Sequence, residues 1–217
     1  MKKSLLALAV AGTMAMSGAF AADVAGDGAT TTAAMNFTTG TDYTLTSDAA
    51  ITMGQVTNTT TNEGTISLGH TTTTVAIGST GAGIKALDIT AATTTLGGTV
   101  KATTITISSG ATLDAATNNI TGTVANAGTL NLTTGVVSGA ITGAGVVNFA
   151  GIQTTGDAIT ATTINVDAGG AVTAGGAIAG AVVVDSGTVL SMGDNAVTGA
   201  VANAGTLNLT TGVVSGA

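Results

Sequence analysis

Seventeen residues of this chain occur twice. Val124 to Ala140 reads VANAGTLNLTTGVVSGA, and Val201 to Ala217 repeats it letter for letter 77 positions later. The likeness extends upstream at the same offset. There Ile105, Ile107, Ser109, Gly110 and Leu113 stand opposite Val182, Val184, Ser186, Gly187 and Leu190, and Asn118 and Gly122 stand opposite Asn195 and Gly199. A near-copy this long constrains the fold before any local propensity does, because it marks a duplicated structural unit that must pack on its own copies.

A finer period lies inside the duplication. The glycines that precede apolar strands, namely Gly110, Gly128, Gly145, Gly169, Gly187 and Gly205, follow one another at gaps of 18, 17, 24, 18 and 18. Around Gly110, Gly169 and Gly187 the apolar side chains stand five and three residues before the glycine (Ile105 and Ile107; Ile164 and Val166; Val182 and Val184) and three after it (Leu113, Val172, Leu190). Around Gly128, Gly145 and Gly205 they stand two and four after it (Leu130 and Leu132; Val147 and Phe149; Leu207 and Leu209). Alternation of period two marks a strand with one buried face. Strands this short cannot bury that face alone, so coils of about 18 residues must stack, each pairing with the next about 4.8 Å away. The expected fold is all-β, a parallel β-helix or β-solenoid. Residues 99–217 should form its regular repeats, and residues 22–98 a less regular N-terminal solenoid or cap region with threonine clusters at 30–32, 59–61, 71–74 and 93–95. The 196 residues after position 21 would make about 11 coils and a rod on the order of 50 Å long. Asn126 and Asn203, at equivalent turns, are expected to contribute to amide ladders, and Phe37 and Tyr43 are candidates to plug the N-terminal end of the core.

Competing folds fit poorly. Glycine recurs every few residues and costs about 1 kcal/mol relative to alanine inside a helix. Val, Ile and Thr favour strands, whereas disordered chains are poor in them and rich in charge. Polarity comes from neutral Thr, Asn, Ser and Gly, since only 7% of residues are charged.

Lys2 and Lys3 precede an apolar stretch from Leu5 to Met16, and small residues follow, ending in Ala19-Phe20-Ala21. This is the pattern of a secretory signal peptide cleaved after Ala21; the stretch is shorter than the roughly 20 residues that span a bilayer. After cleavage two bases, Lys85 and Lys101, face eleven acids, a net charge of 2 − 11 = −9. Such a surface repels nucleic acid and does not favour an anionic membrane. No membrane span is expected. Export would permit disulfides, but the chain has no cysteine to form them.

The N-x-G-T-h-x-h signature, where h is apolar, reads NEGTISL from Asn62 and NAGTLNL from Asn126 and Asn203. It resembles the passenger regions of autotransporters and related repetitive surface adhesins of Gram-negative bacteria, over most of residues 62–217. The resemblance implies a right-handed parallel β-helix carried behind a signal peptide, displayed at the cell surface or outer membrane or released, and tethered through a C-terminal β-barrel translocator. No barrel is expected within residues 1–217. The chain stops inside its second repeat copy, and the expectation is that the gene continues past Ala217 into more coils and an anchor.

Chemical sites are sparse, and no catalytic, cofactor-binding or metal-binding residue is expected. His70, the only histidine, lies in a Gly-His-Thr-Thr stretch suited to an exposed turn. A zinc site normally draws several Cys or His ligands, and a Ser or Thr nucleophile needs an oriented base. Gly26-Asp27-Gly28 and Gly193-Asp194-Asn195 read as turns, and the nonapeptide calcium motif of acidic repeats is absent. The expected function is a secreted or surface-displayed structural or adhesive passenger without enzymatic activity, its host-cell or cell-surface ligand unspecified. Two other readings are weaker. An outer-membrane barrel needs aromatic girdles, which three aromatics after the leader, Phe37, Tyr43 and Phe149, cannot build. An ice-binding solenoid needs Thr-x-Thr rows once per coil; Thr44 and Thr46 fit, as do Thr104 and Thr106, but the coils around Gly128, Gly187 and Gly205 lack that row. Ile107, Leu130, Val184 and Leu207 are expected to be buried.

Overall fold

The structure is a computed structural model that describes residues 55–57, 63–74, 76–78 and 82–216 with their side chains, together with the backbone of strands Met14–Met16, Ala21–Asp23, Thr30–Thr31, Met35–Phe37, Thr44–Ser47, Ile51–Thr52 and the end of Val56–Asn58. Among the described residues there is no helix, and so none long and apolar enough to cross a membrane. Every strand pair is parallel, each strand lying beside those one coil earlier and one coil later, as a β-solenoid requires.

Each coil contributes three inward-facing stretches, which build three faces. Face I carries the column Ile66, Leu87, Ile105, Val124, Ile141, Ile159, Ile178, Val197 and Val214. The steps along the chain from each member to the next are 21, 18, 19, 17, 18, 19, 19 and 17, so eight turns separate Ile66 from Val214. In backbone register Leu45 and Ala22 extend this column upstream, again by steps longer than 20. Face II carries Thr72, Thr94, Leu113, Leu130, Val147, Ile164, Val182 and Val201. Face III begins with Val56, Ile77, Val100, Ile120 and Val137.

The interior is mainly aliphatic because a narrow coil has room for only a pair of inward side chains per face, such as Leu130 and Leu132 or Val147 and Phe149. Ile107, Leu130 and Val184 are fully buried, as expected. Leu207 is only half-buried and Leu209 is 36% exposed, because no described coil stacks beyond theirs. Threonine also enters the core: Thr72, Thr74 and Thr94 are fully buried, and so two of the sequence clusters supply inward side chains.

The structure also accounts for the one long gap between glycines. Gly110, Gly128 and Gly145 turn the chain from face I to face II, whereas Gly169, Gly187 and Gly205 turn it from face II to face III. From Gly145 to Gly169 the chain completes one whole coil and then one further face of the three. The bent strands move in the same way, since Val100–Ile107 and Ile120–Asn126 round the corner from face III to face I, and Ile159–Val166 and Ile178–Val184 the corner from face I to face II. Hence the two identical segments occupy different faces: Val124 is on face I with Ile141, while Val201 is on face II with Val182. The offset between the copies amounts to four coils and a third.

Candidate functional site

The outward positions of the solenoid are small and mostly neutral, and what they bond to is the next coil. The register aligns Asp114, Asn131, Asn148 and Asn165 on the outside of face II. Asn165 Nδ2 donates to Asn148 Oδ1 at 2.8 Å, and Asn148 Nδ2 donates to Asn131 Oδ1 at 2.8 Å. This amide ladder is not the one expected at Asn126 and Asn203, which stand on different faces and cannot stack. Asn126 is buried, accepting from the Gly128 N–H at 3.1 Å and donating to the Val146 carbonyl at 2.9 Å. Asn203 is exposed and keeps only the equivalent turn bond, from the Gly205 N–H at 3.1 Å. The constant spacing of Asn131, Asn148 and Asn165, one coil apart each time, was the signal in the sequence that pointed to the true ladder.

His70 is exposed in the turn between faces I and II, where its carbonyl accepts from Thr72 Oγ1 at 2.9 Å. Asp194 Oδ1 accepts from Thr211 Oγ1 at 2.7 Å, and Asn195 Nδ2 donates to the Ala174 carbonyl at 3.1 Å. Asn118, the counterpart of Asn195 in the first copy, likewise donates to the Leu96 carbonyl at 2.7 Å. These corner residues staple one coil to its neighbour. Gly26-Asp27-Gly28 and the side chains of Phe37 and Tyr43 lie outside the described residues.

Two acidic groups meet at a corner of the stack. Asp167 and Asp185 occupy the same corner between faces II and III in successive coils, the Asp185 N–H donating to the Val166 carbonyl at 3.0 Å. Burial, and secondarily the negative charge of Asp185, push the Asp167 carboxyl above its ordinary range. Among the described residues no three His, Cys, Asp or Glu side chains gather to hold a metal ion. An open depression of about 620 Å³ lies outside face III, lined by Gln55, Thr57, Ala76, Gly78, Thr99, Lys101 and Thr121. It brings together one cation and hydroxyls, without a base beside a nucleophile.

Thr104 and Thr106 share outward positions on face I with Thr65 and Ser67, and in backbone register with Thr44 and Thr46. Ala86 and Asp88 interrupt that row, and the later coils carry Ala140 with Thr142, Ala158 with Thr160 and Ala177 with Ala179. Paired threonines therefore do not recur coil after coil. No protein-family model, curated protein or solved structure matches this chain.

Proposed function

We propose that the chain is the solenoid passenger of an exported surface protein of a Gram-negative bacterium, a structural or adhesive rod without catalytic machinery. The observation that carries this reading is the parallel stack, in which side chains such as Asn118, Asn131, Asn148, Asn165 and Asn195 join coil to coil. A stack of this kind is a spacer and a display surface: rigidity comes from repeated backbone pairing, and the outward rows offer hydroxyls, amides and methyls over a length of about 38 Å for eight turns at the usual strand spacing. The leader-like residues 1–21 support export, and the resemblance to autotransporter passengers supports display at the outer membrane or release outside the cell. Outer-membrane barrels are antiparallel, which disfavours the barrel reading beside a stack of parallel pairs, and the broken threonine row disfavours ice binding.

The test is expression from the natural gene in a Gram-negative host. Mass spectrometry of the recovered protein should show an N-terminus at Ala22. Protease added to intact cells should cleave the solenoid, and cells displaying it should attach to host-cell or abiotic surfaces more strongly than cells lacking it. A product that keeps residues 1–21 and stays in the cytoplasm defeats the reading of export; display without any gain in attachment defeats adhesion and leaves the structural role.

A further inference from the structure

Strand Ile152–Thr155 turns its side chains against the pattern of its own sequence. Gln153 and Thr155 point inward at 1% exposure each, while Ile152 points outward at 71%. Neither amide atom of the Gln153 side chain finds a hydrogen-bond partner, an arrangement that folded proteins largely avoid. Neighbouring coils of the same face place apolar groups inward, with Val137 before it and Val172 and Leu190 after it. The strand belongs to the coil in which the corner glycines move on by one face, between Gly145 and Gly169.

We propose that Ile152–Thr155 exchanges between the observed register and one shifted by a single residue, in which Ile152 and Thr154 face inward and Gln153 and Thr155 face solvent. A one-residue slip turns over every side chain of a strand, and here the turnover is one-sided in its effect. The second inward position is threonine in either register. The first changes from glutamine to isoleucine, which takes apolar surface out of water and returns the amide to it. Space exists for the change, because the residue opposite Gln153 in the preceding coil is Gly135, which has no side chain, and the residue opposite in the following coil is Val172. Gly151 and Gly156 bound the strand, and their backbone freedom lets one connection shorten as the other lengthens. The observed register is held by pairing on both sides, including the Gly156 N–H to the Val137 carbonyl and the Gly175 N–H to the Thr155 carbonyl, each at 2.7 Å. Evenly spaced parallel ladder bonds can be remade one residue along. The strand is thus a two-state element within the stack.

Hydrogen exchange and thermal melting of the full chain test this. In the wild type, amides of residues 150–156 should exchange about tenfold or more faster than those of residues 171–174 in the next coil. The double substitution Ile152→Thr with Gln153→Val, which suits only the observed register, should remove that excess. Gln153→Glu should drive the strand into the shifted register, because an ionised carboxylate is excluded from the interior; the chain should melt close to the wild type. Val172→Glu, inward on the same column one coil later, should melt far lower. The proposal is overturned if Gln153→Glu melts as low as Val172→Glu, or if residues 150–156 exchange no faster than residues 171–174.

Discussion

A side chain in this molecule either fills its one place in a narrow column or faces water, and that separates positions sharply. Leu130 is fully buried between Leu113 and Val147, so Leu130→Asp would put an unpaired charge into a dry core at a cost of several kcal/mol. His70 is exposed, and the bond at its turn uses its backbone carbonyl rather than its ring. Thermal unfolding should therefore show a large loss for Leu130→Asp and almost none for His70→Ala; loss of attachment in a folded His70→Ala protein would point to a site at that turn. Asp167 adds a pH dependence. Its carboxyl is raised by burial and then by Asp185, so the folded chain binds that proton more readily than the unfolded chain. The ionised form weakens the fold at neutral pH, and the penalty disappears as pH falls through the raised value. Carboxyl NMR titration of Asp185→Asn should place the Asp167 midpoint lower than in the wild type, yet still above the ordinary range because burial remains.

Strands and corners keep one another in register through glycines and the amide ladder. Gly122 in the first copy and Gly199 in the second have φ of 128° and 127°, and a Cβ at either would collide with a carbonyl oxygen of the coil before, that of Ala102 or Gly180. The same local backbone thus rounds the corner from face III to face I in one copy and from face I to face II in the other. On face II, Asn148 both gives and receives an amide bond. A net contribution of about 0.5–1.5 kcal/mol for each bond predicts a loss of roughly 1–3 kcal/mol for Asn148→Ala in chemical denaturation. Asn208, the copy of Asn131, reaches only Ser191 Oγ at 3.5 Å on an exposed edge, and Asn208→Ala should change stability much less.

Along the whole rod, contacts run from each coil to its neighbours, and stability is close to a sum of coil and interface terms. Damage should stay local. In Leu130→Asp, hydrogen exchange should accelerate in the coils around residues 113–147, while amides near Ile178 and Val182 keep their protection. A uniform loss along the chain would mean that the rod behaves as one cooperative unit. The three faces accept the same sequence motif because each asks for the same thing, a short strand with alternate branched side chains and a tight corner. A third-of-a-turn offset between duplicates is therefore tolerated, at the cost of one coil, residues 141–158, in which the motif changes face.

The class of fold, the coil length and most of the core were legible in the order of the residues. Period-two alternation decides which side of a strand is buried, and the recurrence of corner glycines decides that coils stack, both being local properties of the chain. The burial of Ile105, Leu113, Ile164 and Val182 could be read for that reason. Leu207 has the same alternation yet is half-buried, since burial also needs a covering coil on each side and alternation says nothing of that. Which face each motif occupies came from the three-dimensional stack alone, because the corners are interchangeable and a long gap can be read as an insertion as easily as a change of face. That choice separated Asn126 from Asn203, brought Asn131, Asn148 and Asn165 into one ladder, and put Gln153 inside with Ile152 outside. Register against the coils above and below is a property of the stack, and a strand whose neighbours impose it can be held against its own hydrophobic pattern.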